Sequence, residues 1–330
     1  MADLSTSYLG LSLKHPIIVG ASPMTGSPDG VARCAAAGAA AVVLPSLFEE
    51  QLAQETAALS AALEQSSDWH AEVSQYLSAD VALRTAPGSY IELIRESRAR
   101  VDVPVIASIN CVRAEWWQEF AAQVEAAGAS ALELNVAIMP TWFSMSGAEV
   151  EDRYESIVRA ARAAVKIPIA VKLPETCSSL PDLLRRLQKA GANGFVLFNR
   201  FYMPTIDPDR LAIVTGERFS TPAELSPTLR WVALLSGQIR ASLAASRGVH
   251  SGLDVVRCLL AGADVVQSVS AVIRQRPGHV ETMRQELEAW MKAHDCQRLS
   301  DFRGRLSQSR NPETELFSRF QYMKVLSGKG

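Results

Sequence analysis

The chain has 330 residues, of which 48% are hydrophobic and 21% charged, and 33 Lys+Arg against 35 Asp+Glu leave a formal net charge of -2. So many apolar residues exclude a disordered chain, and so even a balance excludes a basic nucleic-acid groove as its main feature. Five cysteines without a CxxC pair, and no run of eighteen apolar residues, exclude a disulfide framework and a membrane span, and a soluble cytoplasmic protein is expected. The five histidines make no metal-ligand spacing, so no metal site is expected.

Taken in chain order, short apolar runs alternate with amphipathic stretches. PIIVG from Pro16 reads as the first strand, and AAGAAAVVLPS around Gly38 closes a helix and opens the second. Residues 47 to 86 then form a polar, helical insertion. PVIASIN from Pro104 is the third strand, and a helix containing Trp116 and Trp117 leads through AAGASALELNVA, around Gly128, into the fourth. GAEVEDRYESIVRAARAAV precedes the fifth strand, IPIAVKLP from Ile167. LPDLLRRLQKA and the Gly191 step lead to the sixth, GFVLFN, after which residues 200 to 227 form an irregular insertion. ASLAAS from Ala241 is the seventh strand, and GLDVVRCLL with the Gly262 step leads to the eighth.

Four times, then, a helix ends in Gly-Ala and passes straight into a strand, because glycine takes the left-handed conformation that closes a helix. Strands this apolar are buried on both faces, as in a parallel sheet. Eight such units without a linker predict one α/β domain over residues 1–330, a (β/α)8 TIM barrel with insertions after strands 2 and 6. A helical tail from about residue 299, with Phe317, Phe320 and Tyr322 in ELFSRFQYMKVL, is expected to pack on the barrel exterior, a partner-binding helix being the other reading.

Barrel active sites gather where strands end, so those residues are the candidates. They are Ala21, Ser22 and Pro23; Pro45 and Ser46; Ser108 and Asn110; Asn135; Lys172; Asn199 and Arg200; Ser246, Arg247 and Gly248; and Ser268 and Ser270. Lys172 is the sharpest, because a lysine inside IPIAVKLP is desolvated and calls for an anion, unless it snorkels to water. SRGVHSG after strand seven offers Gly248 and Gly252 for close backbone approach to a phosphate, with Arg247 adding charge and Ser270 a hydroxyl. Asn135 and Asn199 interrupt apolar strands, and a buried amide needs partners, either structural ones or a ligand. His250 is either a helix-entry residue or a catalyst, while Cys111 and Cys177 read as small buried thiols. No carboxylate pair stands out.

The stretches VVLPSLFEEQ, LELNVAIMPT, AVKLPETCSSL, FVLFNRFYMPTID, LSPTLRWVALL and NPETELFSRFQYMKVL resemble the dihydroorotate dehydrogenase family of FMN-dependent barrels, in its bacterial dihydroorotate dehydrogenase-like branch. The resemblance implies an oxidoreductase of pyrimidine biosynthesis that takes dihydroorotate to orotate by hydride transfer to flavin N5. It implies Ala21, Ser22, Ser46, Asn135, Lys172, Gly248, Val249 and Ser270 as cofactor-binding residues, to which the strand-end reading adds Asn110 and Arg247, with Asn135 and Asn199 as substrate-binding and Lys172 as the cation near the flavin N1/O2 edge. A homodimer and a redox partner protein are implied as well.

Departures from the family pattern fall at Pro45, where a lysine is usual, at Ile138, where the general base stands in Asn-Leu-Ser-Cys-Pro-Asn, at Arg247, where the family has the first of two glycines, and in residues 47 to 86, where the loop with another substrate asparagine is not recognisable. Thr141, Ser144 and Ser146 follow closely, and Ser144 is the catalytic candidate among these hydroxyls. Two other readings stay open: a non-catalytic or accessory flavin-binding barrel in a redox assembly, and a flavin-free phosphate-binding lyase or isomerase.

Overall fold

A computed structural model of the chain describes residues 2–48, 88–110, 117–136, 138, 145–200, 204–311 and 326. Its centre is a closed barrel of eight strands: β3 (Ile17–Val19), β4 (Val42–Phe48), β5 (Val105–Asn110), β6 (Ala131–Asn135), β7 (Ile169–Leu173), β8 (Gly194–Leu197), β11 (Ser242–Ser246) and β12 (Val265–Ser268). All neighbours pair in parallel, and β11 closes the ring between β8 and β12. Each of the eight runs expected from the sequence is one of these strands, and the TIM barrel stands.

Helices return the chain between strands: α1 (Pro28–Ala36), α2 (Gly88–Arg100), α3 (Trp117–Ala126), α4 (Gly147–Ala164), α5 (Leu180–Ala190), α6 (Leu225–Leu235), α7 (Gly252–Ala261), α8 (Ser270–Gln275) and α9 (His279–Ala293). Gly38, Gly128, Gly191 and Gly262 have φ of 98, 93, 117 and 113°, so all four Gly-Ala steps are left-handed turns out of helices. No helix among the described residues is long and apolar enough to cross a membrane.

An antiparallel hairpin, β1 (Thr6–Tyr8) with β2 (Leu11–Leu13), precedes the barrel and plugs its N-terminal end. Tyr8, Leu9 and Leu13 pack there with Ile18, Ile106, Ala131, Ala170, Ala244 and Val265, and a Cβ on Gly194 would collide with Leu9. Higher in the barrel the inward positions turn polar: Glu133 and Asn135 above Ala131, Lys172 above Ala170, Gln267 above Val265.

The stretch 200 to 227 differs from expectation. Instead of irregular chain it holds a second hairpin, β9 (Pro204–Asp207) with β10 (Ala212–Thr215), then a 3-10 turn at Pro222–Glu224, with α6 already begun at Leu225. Both strands are largely exposed, Ile206 and Ile213 included, so no burial pattern marks them in the sequence. Of the insertion expected over 47 to 86, Leu47 and Phe48 belong to β4 and the rest lies outside the described residues. The start of the tail packs on the barrel exterior: Phe302 is buried with its ring 4.9 Å from that of Trp290, and Gly304 and Leu306 donate backbone N–H groups to the Leu259 and Leu260 carbonyls of α7. Of ELFSRFQYMKVL, only the exposed Leu326 falls among the described residues.

Candidate active site

A cavity of about 220 Å³ opens at the C-terminal ends of the barrel strands. Its wall brings together Ala21, Lys172, Asn199, Arg200, Ser246, Arg247, Gly248, Val249 and Ser270 from the expected set, with Arg218, Ser220 and Gln267 beside them. Ser22, Ser46, Asn110 and Asn135 stand at neighbouring strand ends outside this wall. Ser22 and Asn110 are buried, Ser22 just before the short 3-10 turn Pro23–Thr25 and Asn110 as the last residue of β5. Ser144 and Thr141 lie outside the described residues. Ser146 caps α4, its side chain taking the Glu149 N–H while Glu149 returns a bond to its own, and so has a structural task.

Four strand-end residues form one hydrogen-bonded chain. Asn199 Nδ2 donates to Asn135 Oδ1 at 2.8 Å, Asn135 Nδ2 donates to Ser46 Oγ at 3.0 Å, and the Ser46 and Ser108 hydroxyls meet at 2.8 Å. The two amides are therefore partners of each other, which fixes which atom each leaves over: Asn135 spends one amide hydrogen and one oxygen on protein, and Asn199 keeps its oxygen free of this chain.

Beneath it, strand register and a proline create a local problem that a tyrosine solves. Val43 pairs with Ile106 but Ser46 with Ser108, so β4 carries one extra residue there, at Leu44–Pro45. Pro45 has no N–H for the ladder. Tyr90, buried on α2, puts its hydroxyl into the gap: it accepts the Ser108 N–H at 2.9 Å and lies 2.8 Å from the Ser108 carbonyl and 3.0 Å from the Pro45 carbonyl. Burial holds this phenol protonated far above its usual range.

Lys172 is 7% exposed and does not snorkel. Its ammonium lies 3.6 Å from Glu133 Oε1 on the adjacent strand β6, and Gln267 Nε2 donates to Glu133 Oε2 at 2.6 Å from β12, four strands away across the ring. Glu133 and Gln267 are the residues that inspection of strand ends missed. Counting two back from Asn135 puts Glu133 on the same inward face, and that alternation was the available signal.

At the rim, Arg247 faces the cavity but is engaged by carboxylates: Nε reaches Glu224 at 2.8 Å and Nη1 reaches Glu175 at 3.0 Å, while Arg200 Nε shares Glu224 at 3.0 Å. Burial works to raise the Glu224 carboxyl, but hydrogen bonds from Arg247, the Thr221 backbone and Arg200 outweigh it and hold the group below its usual value. Arg247 and Gly248 both have positive φ, 77 and 76°, and turn the chain sharply at the end of β11. A Cβ on Gly248 would run into the Leu225 backbone, with Leu225 Cα at 2.8 Å, so α6 approaches as closely as glycine permits. Ser270 Oγ takes the Ser220 N–H at 2.9 Å. His250 stands at the entry of α7, its N–H bonded to Asp254 and its ring 3.2 Å from Ser220 Oγ. Burial pushes the Cys177 thiol up to about 11, away from nucleophilic character.

Comparison with known proteins agrees with this geometry. The family model described as dihydroorotate dehydrogenase matches residues 85–291, more than half of the chain. A putative dihydroorotate dehydrogenase A (fumarate) of Aeropyrum pernix is 29% identical over 64% of this chain and 71% of its own length. The catalytic subunit of a dihydroorotate dehydrogenase B (NAD(+)) from Thermoplasma volcanium is 23% identical over 92% of this chain and 98% of its own. A chloroplastic dihydropyrimidine dehydrogenase (NADP(+)) of Arabidopsis thaliana is 25% identical over 96% of this chain and 80% of its own. Among solved structures, DHODH from Eimeria tenella in complex with ferulenol superposes with a TM-score of 0.62 at 14% identity, over 94% of this chain and 89% of that one, which speaks to the fold. A parallel eight-stranded barrel with its cavity at the strand ends, matched by this family model over more than half its length, belongs to the dihydroorotate dehydrogenase family of FMN-dependent oxidoreductases.

Proposed function

We propose that the chain transfers hydride between a CH–CH bond of a small polar substrate and FMN held at the top of the barrel, working in the cytoplasm, with dihydroorotate and orotate as the substrate pair. The observation that carries this reading is Lys172: a buried ammonium that lines the cavity and whose one charged neighbour within ion-pair distance among the described residues is at 3.6 Å, too long for a hydrogen bond.

The residues present fit the cofactor. Gly20 has no room for a Cβ, which would stand 2.7 Å from Val269 Cγ2, so the chain beside Ala21 and Ser22 stays flat and small. Gly248, Val249 and Ser270 offer backbone N–H groups and a hydroxyl for its phosphate, while Arg247 beside them is paired with Glu224 and Glu175. Ser46, Asn110 and Asn135 would line the ring system, Lys172 would face the charge gained on reduction, and Asn135 and Asn199 would orient the substrate. The cofactor supplies a two-electron acceptor at N5.

Oxidation also requires a proton to leave the neighbouring carbon. Ile138 is 7% exposed and has no atom that accepts one, so this proposal assigns the proton to the hydroxyl of Ser144. Purified protein should be yellow, and anaerobic dihydroorotate should bleach it. Ser144→Ala should keep the colour and slow bleaching about 100-fold or more. A colourless protein that takes up no FMN overturns the cofactor reading; a yellow protein that dihydroorotate leaves unbleached favours the accessory flavin-binding barrel, the reading that Ile138 supports. The homodimer and redox partner protein implied by the family belong to the same proposal and are read by light scattering and by re-oxidation with candidate acceptors.

A further inference from the structure

Glu133 is 1% exposed, the most deeply buried carboxylate among the described residues, and its two oxygens are treated differently. Oε2 is clamped by Gln267 from the far side of the barrel at 2.6 Å, while Oε1 has no hydrogen-bond partner and faces the Lys172 ammonium at 3.6 Å. A carboxylate so removed from water persists as an anion only beside a cation. Attraction at that distance holds the ammonium against the wall without using its N–H donors.

We infer that Glu133 is a positioning residue that sets the electric field Lys172 sends into the cavity, holding the ammonium in place and cancelling part of its positive potential. The other charged groups around the cavity are the cations Arg200, Arg218 and Arg247, the first and last tied to Glu224 at the rim. Tyr8 approaches Glu133 from the barrel floor, its phenol held protonated by burial and by the charges of Glu133 and Asp264. Glu133 is therefore the carboxylate through which the floor of the cavity, rather than its rim, is tuned. A cation near a group that gains negative charge favours its reduced form, so a partial counter-charge lowers the reduction potential.

This inference rests on the FMN reading above, and the test separates the two. Wild type, Glu133→Gln, Lys172→Met and the double variant are loaded with FMN, and their midpoint potentials are measured anaerobically at pH 7. Glu133→Gln keeps the shape and removes the counter-charge. It should raise the potential by a tenfold shift in the reduced-to-oxidised ratio or more, about 30 mV for a two-electron couple. Lys172→Met should lower it, and the double variant should fall between the two singles, because both charges have gone. A purely structural role for Glu133 would cost stability without producing this order. Should Glu133→Gln fail to fold, Glu133→Asp, which keeps the charge but draws it back by one methylene, should lie above wild type. A potential at or below wild type in either glutamate variant, or a double variant outside the range of the singles, overturns the inference and leaves the FMN reading intact. A wild type that takes up no FMN overturns both.

Discussion

Tyr90→Phe removes one oxygen and leaves the ring against Phe120, whose centroid is 6.2 Å away. What is lost is the hydroxyl that bridges the β4–β5 mismatch at Pro45. In the wild type it accepts the Ser108 N–H, and its single proton serves the Ser108 or the Pro45 carbonyl. Without it a buried N–H has no acceptor, at a cost of about 1–3 kcal/mol, and a buried carbonyl loses a donor worth roughly 1 kcal/mol more. Pro45 in the bulge has no N–H to donate to the carbonyl in place of the phenol. The expected loss is about 2–4 kcal/mol in equilibrium urea unfolding, with an unchanged slope, since the native fold persists. A loss below about 0.5 kcal/mol would show that the bulge is satisfied some other way and would refute the bridging role.

Gly248→Ala places a Cβ against the Leu225 backbone in a left-handed conformation, and should cost about 2–4 kcal/mol while weakening FMN retention; an unchanged urea midpoint would contradict the close approach seen here. His15 accepts the Ile17 N–H at Nδ1 and bonds the Gly38 carbonyl through Nε2, and burial above all pushes its pKa down to about 4. The unfolded chain, with an ordinary value near 6.5, binds the proton more readily, so this stability is present above pH 6.5 and is lost as pH falls towards 4, up to about 3 kcal/mol in total. His15→Asn should flatten that limb of the pH–stability curve, and an unaltered limb would remove His15 as its cause.

Strands buried on both faces are apolar over most of their length, so all eight barrel strands were legible, and so were the glycines that end four of the helices before them. The two hairpins were not. Their strands are three or four residues long, and no residue of β9 or β10 is buried, which leaves burial little to write into the sequence. Strand-end residues could be named because alternation and position are local properties. Their partners could not: Ser46 meets Ser108 62 residues on, and Glu133 meets Gln267 134 residues on. Arg247 shows the same limit, since its charge is engaged by Glu224 and Glu175, and only the closed barrel and the loop after β10 bring those together.

Pro45 and Ile138 both depart from the family pattern, yet they differ in what the rest of the chain can restore. Pro45 withholds a backbone donor, and a missing hydrogen bond can be made good by any hydroxyl that reaches the gap; Tyr90 does so from a helix outside the barrel. Ile138 withholds a proton acceptor. The Tyr154 hydroxyl donates to the Val136 carbonyl at 2.9 Å, and the Ile138 side chain packs into the main core. Sound packing is no remedy for that loss, because proton transfer needs a basic atom within hydrogen-bond reach of the reacting carbon. A barrel can therefore keep its cavity, its lysine and its counter-charge and still present no proton acceptor at Ile138, which is why anaerobic bleaching by dihydroorotate, rather than any change to the core, decides between an active enzyme and an accessory flavin carrier.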